Sequence, residues 1–157
     1  MKIECWAIGK PHESYIAEGV SDFTRRIENY YPVAWRLFSL KKNTGNFSTL
    51  KLKQEESALI LAAIKTDDWL VTLDENGKSL SSRKLAAFIQ DRGDERVKKL
   101  IFLIGGAYGL EETLLKKSKF VWSLSELTFP HQLVRLLLAE QIYRACSISR
   151  NENYHHD

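Results

Sequence analysis

WSLSELTFPHQLVRLLLAEQIYR, at residues 122–144, joins the end of a short apolar strand to a long helix. Pro130 suits the first position of that helix, because the N–H that proline lacks would find no partner there. Ser125 or Thr128 is placed to cap the free amides at the same end. The stretch therefore predicts a loop held at a helix N-terminus.

The helix after Pro130 carries apolar residues at almost every angle when it is plotted at about 100° per residue. These residues are Leu133, Val134, Leu136, Leu137, Leu138, Ile142 and Tyr143. A surface helix keeps its apolar side chains on one stripe, so this helix needs cover on more than one side. One cover is its own sheet, and the other is most simply a second copy of the subunit. The pattern is a first indication of a homodimer.

Four polar residues lie on the same helix: His131, Arg135, Glu140 and Arg144. They would be partly buried, and burying a charge costs free energy unless the charge is paired. Two interpretations are open: structural ion pairs, or groups kept for a ligand. Spacing alone favours the structural one, because buried ion pairs also serve packing and specificity.

Length and composition indicate one soluble domain over residues 1–157, with 44% hydrophobic and 27% charged residues. No apolar run approaches the roughly 20 residues of a membrane span, and the first ten residues lack a signal-peptide layout. We therefore expect a cytoplasmic protein. Cys5 and Cys146 have no CxxC spacing and are expected to be buried thiols. The formal charge of +3 permits an RNA partner and does not demand one.

Strand and helix patterns alternate along the chain. Apolar runs predict strands at residues 3–8, 33–40, 69–73, 100–104 and 120–122. Helical patterns lie at residues 12–29, 50–64, 82–90 and 111–117, and from 130 onward. Between them, residues 41–48 read as a polar loop and Asn76-Gly77 as a turn. This alternation favours an α/β fold, a mostly parallel sheet with helices on both faces.

Three loops follow the carboxyl ends of predicted strands, after Leu73, Ile104 and Trp122. Ligands bind at that edge in open α/β sheets. The GGxxG run at residues 105–109 allows a flat ligand to press against the main chain, although a tight turn without a ligand is the simpler interpretation of such a run. The glycine order is not GxGxxG, and there is no GxxxxGK[ST], no HExxH and no GxSxG, so NAD, ATP, metal and serine-nucleophile sites are all disfavoured.

Several groups of residues resemble, in order, the motifs of one family. They are Leu73-Asp74 with Gly77-Lys78 and Ser81-Ser82; Ile104-Gly105-Gly106 with Gly109-Leu110; Leu124-Ser125 with Thr128-Phe129-Pro130-His131-Gln132 and Arg135; Glu140-Gln141-Ile142-Tyr143-Arg144; and Tyr154-His155. Together they resemble the ribosomal RNA large subunit methyltransferase H family of the SPOUT class over the whole chain. Arg83, Leu127 and Asn153 depart from the family pattern, and the last of these bears on the placement of the C-terminal tail.

The resemblance implies an α/β domain whose C-terminal part forms a deep trefoil knot, and it implies a homodimer. It also implies methyl transfer from S-adenosylmethionine to N3 of a pseudouridine in 23S rRNA, with the assembled ribosome as substrate. By matching positions, the cofactor contacts fall on Leu73, Gly105, Leu124, Ser125, Glu126, Leu127, Thr128 and Phe129.

The chemistry needs alignment more than it needs a nucleophile. A sulfonium methyl is already electrophilic, and alignment alone is worth about 7–11 kcal/mol in favourable cases. The proton on N3 must leave, so a base or an oxyanion donor would help. The candidates are His131, Arg135, Arg144, Tyr154 and His155.

We hypothesise that Arg135 and Arg144 hold phosphate or a pyrimidine oxygen, while Tyr154 and His155 approach the target base across the dimer. The alternatives are ion pairs of the arginines with Glu140 or Glu126, and a frayed C-terminus. Two other functions stay open. One is a ribosome- or RNA-binding module with a vestigial cofactor pocket, and the other is a flavodoxin- or Rossmann-type nucleotide enzyme, which the glycine order disfavours.

Overall fold

The predicted alternation of strands and helices is confirmed in the computed structural model, which describes residues 1–40 and 45–155. The elements in that part of the chain are β1 Lys2–Ile8, α1 Ser14–Ile27, β2 Val33–Phe38, α2 Thr49–Ala63, β3 Asp68–Ser79, α3 Ser82–Asp94, β4 Lys99–Ile104, α4 Glu112–Lys117, β5 Phe120–Ser123 and α5 His131–Ser149. Part of the loop predicted at residues 41–48 lies outside the described residues.

The five strands form one sheet in the order β2-β1-β4-β3-β5, and every neighbouring pair is parallel. Successive side chains of a strand point to opposite faces. In β1, Ile3, Cys5 and Ala7 join the core beneath α1, α3 and α5, whereas Trp6 and Ile8 join the core beneath α2 and α4. The parallel sheet with helices on both faces is therefore confirmed.

Helix α5 lies between α1 and α3, and none of its residues from 131 to 148 is fully exposed. On one side, a Cβ built on Gly19 of α1 would come within 2.6 Å of Cδ1 of Leu136. On the other side, the Ser82 hydroxyl of α3 donates to Gln141 Oε1 at 2.9 Å. Neighbouring helices of the same chain thus supply part of the cover that the sequence pattern assigned to a second subunit.

One face of α5 keeps partly exposed apolar residues all the same. Leu133 and Leu137 lie opposite the core-facing Leu138 and Ile142 at about 100° per residue, and neither belongs to the core clusters. Glu140 lies on the same side of the helix. We call Leu133, Leu137 and Glu140 the outer face of α5.

The predicted turn at Asn76-Gly77 lies within β3, which runs to Ser79. Leu73 and Lys78 both pair with Trp122 of β5, so residues 74–77 bulge out of the ladder between them. A Cβ on Gly77 would lie 2.7 Å from the Trp122 carbonyl carbon, so a glycine lets the two backbones pass at this irregularity.

The predicted start of α5 also needs correction. Pro130 is the N-cap residue and His131 is the first helical residue, with no side-chain cap. Ser125 caps no helix, because its hydroxyl oxygen accepts a bond from the Leu127 N–H at 3.0 Å. Thr128 likewise does not cap α5.

Cys5 and Cys146 are free and buried, as predicted. Burial raises the pKa of the Cys146 thiol to about 12 and raises that of Cys5 still further. Across residues 1–40 and 45–155, no helix has both the length and the apolar character to cross a bilayer. The trefoil knot implied by the family resemblance stays a prediction.

Candidate functional site

The carboxyl ends of β3, β4 and β5 lie side by side in the sheet, and the segments that follow them enclose a cavity of about 520 Å³. Its wall includes Leu73 from the first segment, residues 105–109 from the second and Leu124 from the third. The three loops that the sequence placed on one ligand-binding edge therefore do meet there.

The cavity combines an apolar lining with a few polar groups. Its apolar residues include Leu73, Ile104, Trp122 and Val134. The indole Nε1 of Trp122 is buried and has no hydrogen-bond partner among the described residues.

Most predicted cofactor positions line this cavity. They are Leu73, Gly105, Leu124, Ser125, Leu127, Thr128 and Phe129. Glu126 is the exception: the bond from the Leu127 N–H to Ser125 Oγ closes a turn around Glu126, whose side chain is exposed. The Ser123 hydroxyl donates to the Ser125 carbonyl at 2.9 Å, and this second hydrogen bond also stabilises the turn.

The glycine segment after β4 brings main chain directly to the cavity wall. A Cβ on Gly105 would lie 3.0 Å from Cγ of Leu110, so a side chain there would crowd the wall. Gly109 has a φ of 77°, a conformation that favours glycine. This geometry is what close contact between a flat ligand and the backbone requires.

Only part of the polar lining was found from the sequence. The structure adds Lys53 of α2, Glu75 and Asn76 of the irregular part of β3, and Tyr108 of the glycine segment. Tyr108 is 59% exposed and marks the rim. All of these residues except Lys53 could have been predicted from their position, since they follow Leu73 or Ile104 at the edge already identified.

Of the candidate catalytic residues, His131 alone lines the cavity. It is the first residue of α5 and shares the wall with Thr128 and Phe129. Its imidazole is therefore placed next to whatever the cavity holds.

Arg135 lies in the core and not in the cavity wall. Its side chain is 0% exposed, and it donates to the carbonyls of Lys10 and Ile8 at 2.9 and 3.2 Å, with His12 Nδ1 at 3.3 Å. Neither a phosphate nor a pyrimidine oxygen reaches a guanidinium enclosed in this way. The alternative ion pair with Glu140 or Glu126 is also absent from the described residues, and Arg135 instead ties the segment after β1 to α5.

The segment after β1 is held by a second α5 residue. Gln132 Nε2 donates to the Pro11 carbonyl at 3.1 Å, and Gln132 Oε1 accepts from the Glu13 N–H at 3.3 Å. Burial, followed by the charge of Arg135, lowers the pKa of His12. The neutral imidazole favoured by that shift is compatible with the adjacent guanidinium.

Arg144 forms the ion pair with Glu140 that was the alternative prediction, at 2.6 Å. Tyr154 and His155 pack against the same pair. The Arg144 guanidinium lies 4.7 Å from the Tyr154 ring centroid and 3.4 Å from His155 Nδ1, and the Tyr154 hydroxyl donates to Glu140 at 3.3 Å. We call Glu140, Arg144, Tyr154 and His155 the tail cluster.

Burial, reinforced by Glu140, raises the pKa of Tyr154, so this phenol stays protonated as a hydrogen-bond donor. No member of the tail cluster lines the cavity. No described group of three or more His, Cys, Asp or Glu residues is arranged to hold a metal ion.

A cavity formed by three carboxyl-end loops of a parallel sheet defines a ligand-binding α/β protein, and residues 1–155 match the family model described as a predicted SPOUT methyltransferase. The chain is 40% identical over 156 residues to the ribosomal RNA large subunit methyltransferase H of Cytophaga hutchinsonii, covering 99% of this chain and 100% of that one. The corresponding protein of Parabacteroides distasonis is 38% identical, with 100% of both chains covered. This chain therefore belongs to the ribosomal RNA large subunit methyltransferase H family of SPOUT methyltransferases.

Solved structures support the fold. A probable methylase family protein from Haemophilus influenzae superposes with a TM-score of 0.55 at 11% identity, covering 99% of this chain and 70% of that one. A probable methyltransferase from Bordetella pertussis gives a TM-score of 0.53 at 12% identity, covering 92% and 96%. At this level of identity the likeness concerns the fold alone.

Proposed function

We propose that this protein methylates N3 of a pseudouridine in 23S rRNA, with S-adenosylmethionine as the methyl donor. Its substrate is the assembled ribosome, and it acts in the cytoplasm as a homodimer. The observation that carries the proposal is the convergence of three distant segments on one cavity, with the matched family positions in its wall.

The cavity fits the proposed cofactor. Its apolar lining suits an adenine ring, and the glycine segment allows close backbone contact. Asp74 and Glu75 put carboxylates in the wall, which favour a cationic ligand over the phosphates of NAD or a flavin nucleotide. We assign the contacts to Leu73, Gly105 and the turn at residues 124–129. When bound, S-adenosylmethionine supplies an electrophilic methyl group.

The protein's own residues then have to align the base, exclude water and handle the N3 proton. His131 is placed in the cavity wall to accept that proton or to donate to a uracil oxygen. The tail cluster offers the Arg144 guanidinium and the Tyr154 hydroxyl as further donors.

The tail cluster lies away from the cavity wall of its own subunit. Arg144 comes thirteen residues after His131 on the same helix, about 20 Å along its axis at 1.5 Å per residue. We infer that a second subunit packs on the outer face of α5, through Leu133 and Leu137, and that each subunit brings its tail cluster to the cavity of the other. A twofold axis makes the two composite sites equivalent.

Subunit mixing tests this arrangement. His131→Ala and Arg144→Met each inactivate both composite sites of a homodimer, but a mixed dimer retains one intact site. After exchange of equal amounts, methylation of ribosomes is expected to recover to about a quarter of the wild-type rate, since half of the dimers are mixed. Recovery at the background level would refute a site shared between subunits.

Deletion of the tail tests the function itself. Without residues 153–157, calorimetric affinity for S-adenosylmethionine should stay within about twofold, while methyl transfer to ribosomes lacking the modification is lost. Unchanged methylation would remove the tail from the mechanism. Absence of saturable heat with the full-length protein would favour a non-catalytic RNA-binding module.

A further inference from the structure

Glu56 of α2 lies against the glycine segment of the cavity. A Cβ on Gly106 would be 2.8 Å from Oε2 and 3.1 Å from Oε1 of this glutamate, so the carboxylate lies against the backbone of this glycine. Gly106 lines the cavity, and so does Lys53, one helical turn before Glu56. The carboxylate therefore lies directly behind the cavity wall.

This carboxylate is half-buried. Within residues 1–40 and 45–155, no basic side chain forms an ion pair with Glu56, and no donor forms a hydrogen bond to it. Burial accordingly raises the pKa of Glu56. A half-buried negative charge without a partner costs stability, and an approaching cation removes part of that cost.

The neighbouring charges of the cavity do not neutralise it. Asp74 is also negative, and its carboxylate accepts bonds from the Asn76 backbone N–H and side-chain amide at 2.9 and 3.2 Å. Glu75 adds a second carboxylate to the wall, and Lys53 is the one ammonium that the described residues contribute to it. This end of the cavity is thus suited to a positively charged group.

We propose that Glu56 is a specificity-determining residue that makes the cavity prefer the cationic sulfonium S-adenosylmethionine over its neutral thioether product, S-adenosylhomocysteine. The proposal rests on the proposed function. The two ligands share the adenosyl and amino-acid parts and differ by one methyl group and one positive charge at sulfur. The apolar lining and the loop backbones meet shared parts, whereas a fixed carboxylate discriminates by charge.

Calorimetry with both ligands tests the proposal. Glu56→Gln keeps the shape and removes the charge. We expect it to weaken S-adenosylmethionine about tenfold, or about 1.4 kcal/mol, with S-adenosylhomocysteine changed by less than about twofold. Glu55→Gln removes an equal charge one residue away and should leave the ratio of the two dissociation constants unchanged.

Other outcomes separate the explanations. Equal weakening of both ligands would leave the ratio of their dissociation constants unchanged. It would show that Glu56 only supports the glycine segment, and it would overturn the proposal. If Glu56→Gln does not fold, Glu56→Asp retains the charge at a greater distance and should lower the ratio by a smaller factor; an unchanged ratio there would also refute it. Failure of the wild-type protein to bind either ligand would instead refute the proposed function.

Discussion

Replacing Arg135 with methionine should lower the free energy of unfolding rather than weaken the binding of a ligand. Methionine keeps most of the apolar stem and removes the guanidinium. The carbonyls of Lys10 and Ile8 then lose a charged donor inside the core, and His12 loses its neighbour. The two hydrogen bonds of Gln132 would still attach the segment after β1 to α5.

The size of the effect follows from these contacts. A hydrogen bond to a charged group contributes about 1.5–3 kcal/mol, so two or three such bonds amount to roughly 3–9 kcal/mol before offsets. The methionine variant no longer buries a charge, and this gain offsets part of the loss, since buried charges carry a desolvation penalty of several kcal/mol. We expect a net loss of about 3 kcal/mol in the free energy of unfolding.

Urea unfolding followed by circular dichroism, at one fixed protein concentration, measures this loss. Arg144→Met is the matched control: its ion pair is partly exposed, so its removal should cost less than about 1 kcal/mol while ribosome methylation is lost. A loss under about 1 kcal/mol for Arg135→Met, combined with lost methylation, would refute the structural role and restore Arg135 as a substrate-binding residue.

Three further predictions concern single sites. Gly77→Ala should cost about 3 kcal/mol in urea unfolding, because its Cβ would meet the backbone of residues 121–123 within 2.8 Å; a normal stability would contradict the register irregularity. The pKa of Glu56 is raised above its ordinary 4.5, so stability falls as pH rises through that raised pKa; Glu56→Gln should remove this fall and raise the melting temperature at pH 7. Cys5 and Cys146 should react with a thiol reagent only on unfolding; fast labelling of the native protein would contradict their burial.

The sequence was informative wherever a local pattern determines structure. Short apolar runs located the strands, and a parallel sheet then places its carboxyl ends along one edge. Leu73, Gly105 and Leu124 could therefore be assigned to one cavity although they are far apart in the chain. The family motifs added which positions in these loops to choose.

The sequence did not predict local structure that depends on contacts with residues distant in the chain. Asn76-Gly77 has the composition of a turn, but composition alone does not show that residues 74–77 bulge out between two residues that both pair with Trp122 of β5. A charge on an apolar helix suggested either an ion pair or a ligand for Arg135, and its partners proved to be carbonyls more than a hundred residues away. The docking of Tyr154 on Arg144 likewise depends on how the chain end folds back.

Helix α5 carries His131 at its first position and Arg144 more than three turns later without interruption. Inserting or deleting one residue between them would rotate one end against the other by about 100°. Length changes in this interval should thus be far more damaging than most substitutions there, whereas the segment between β2 and α2, remote from this helix in the chain, should accept them. Alignments of functional relatives are expected to show gaps in the latter segment and none between these two residues.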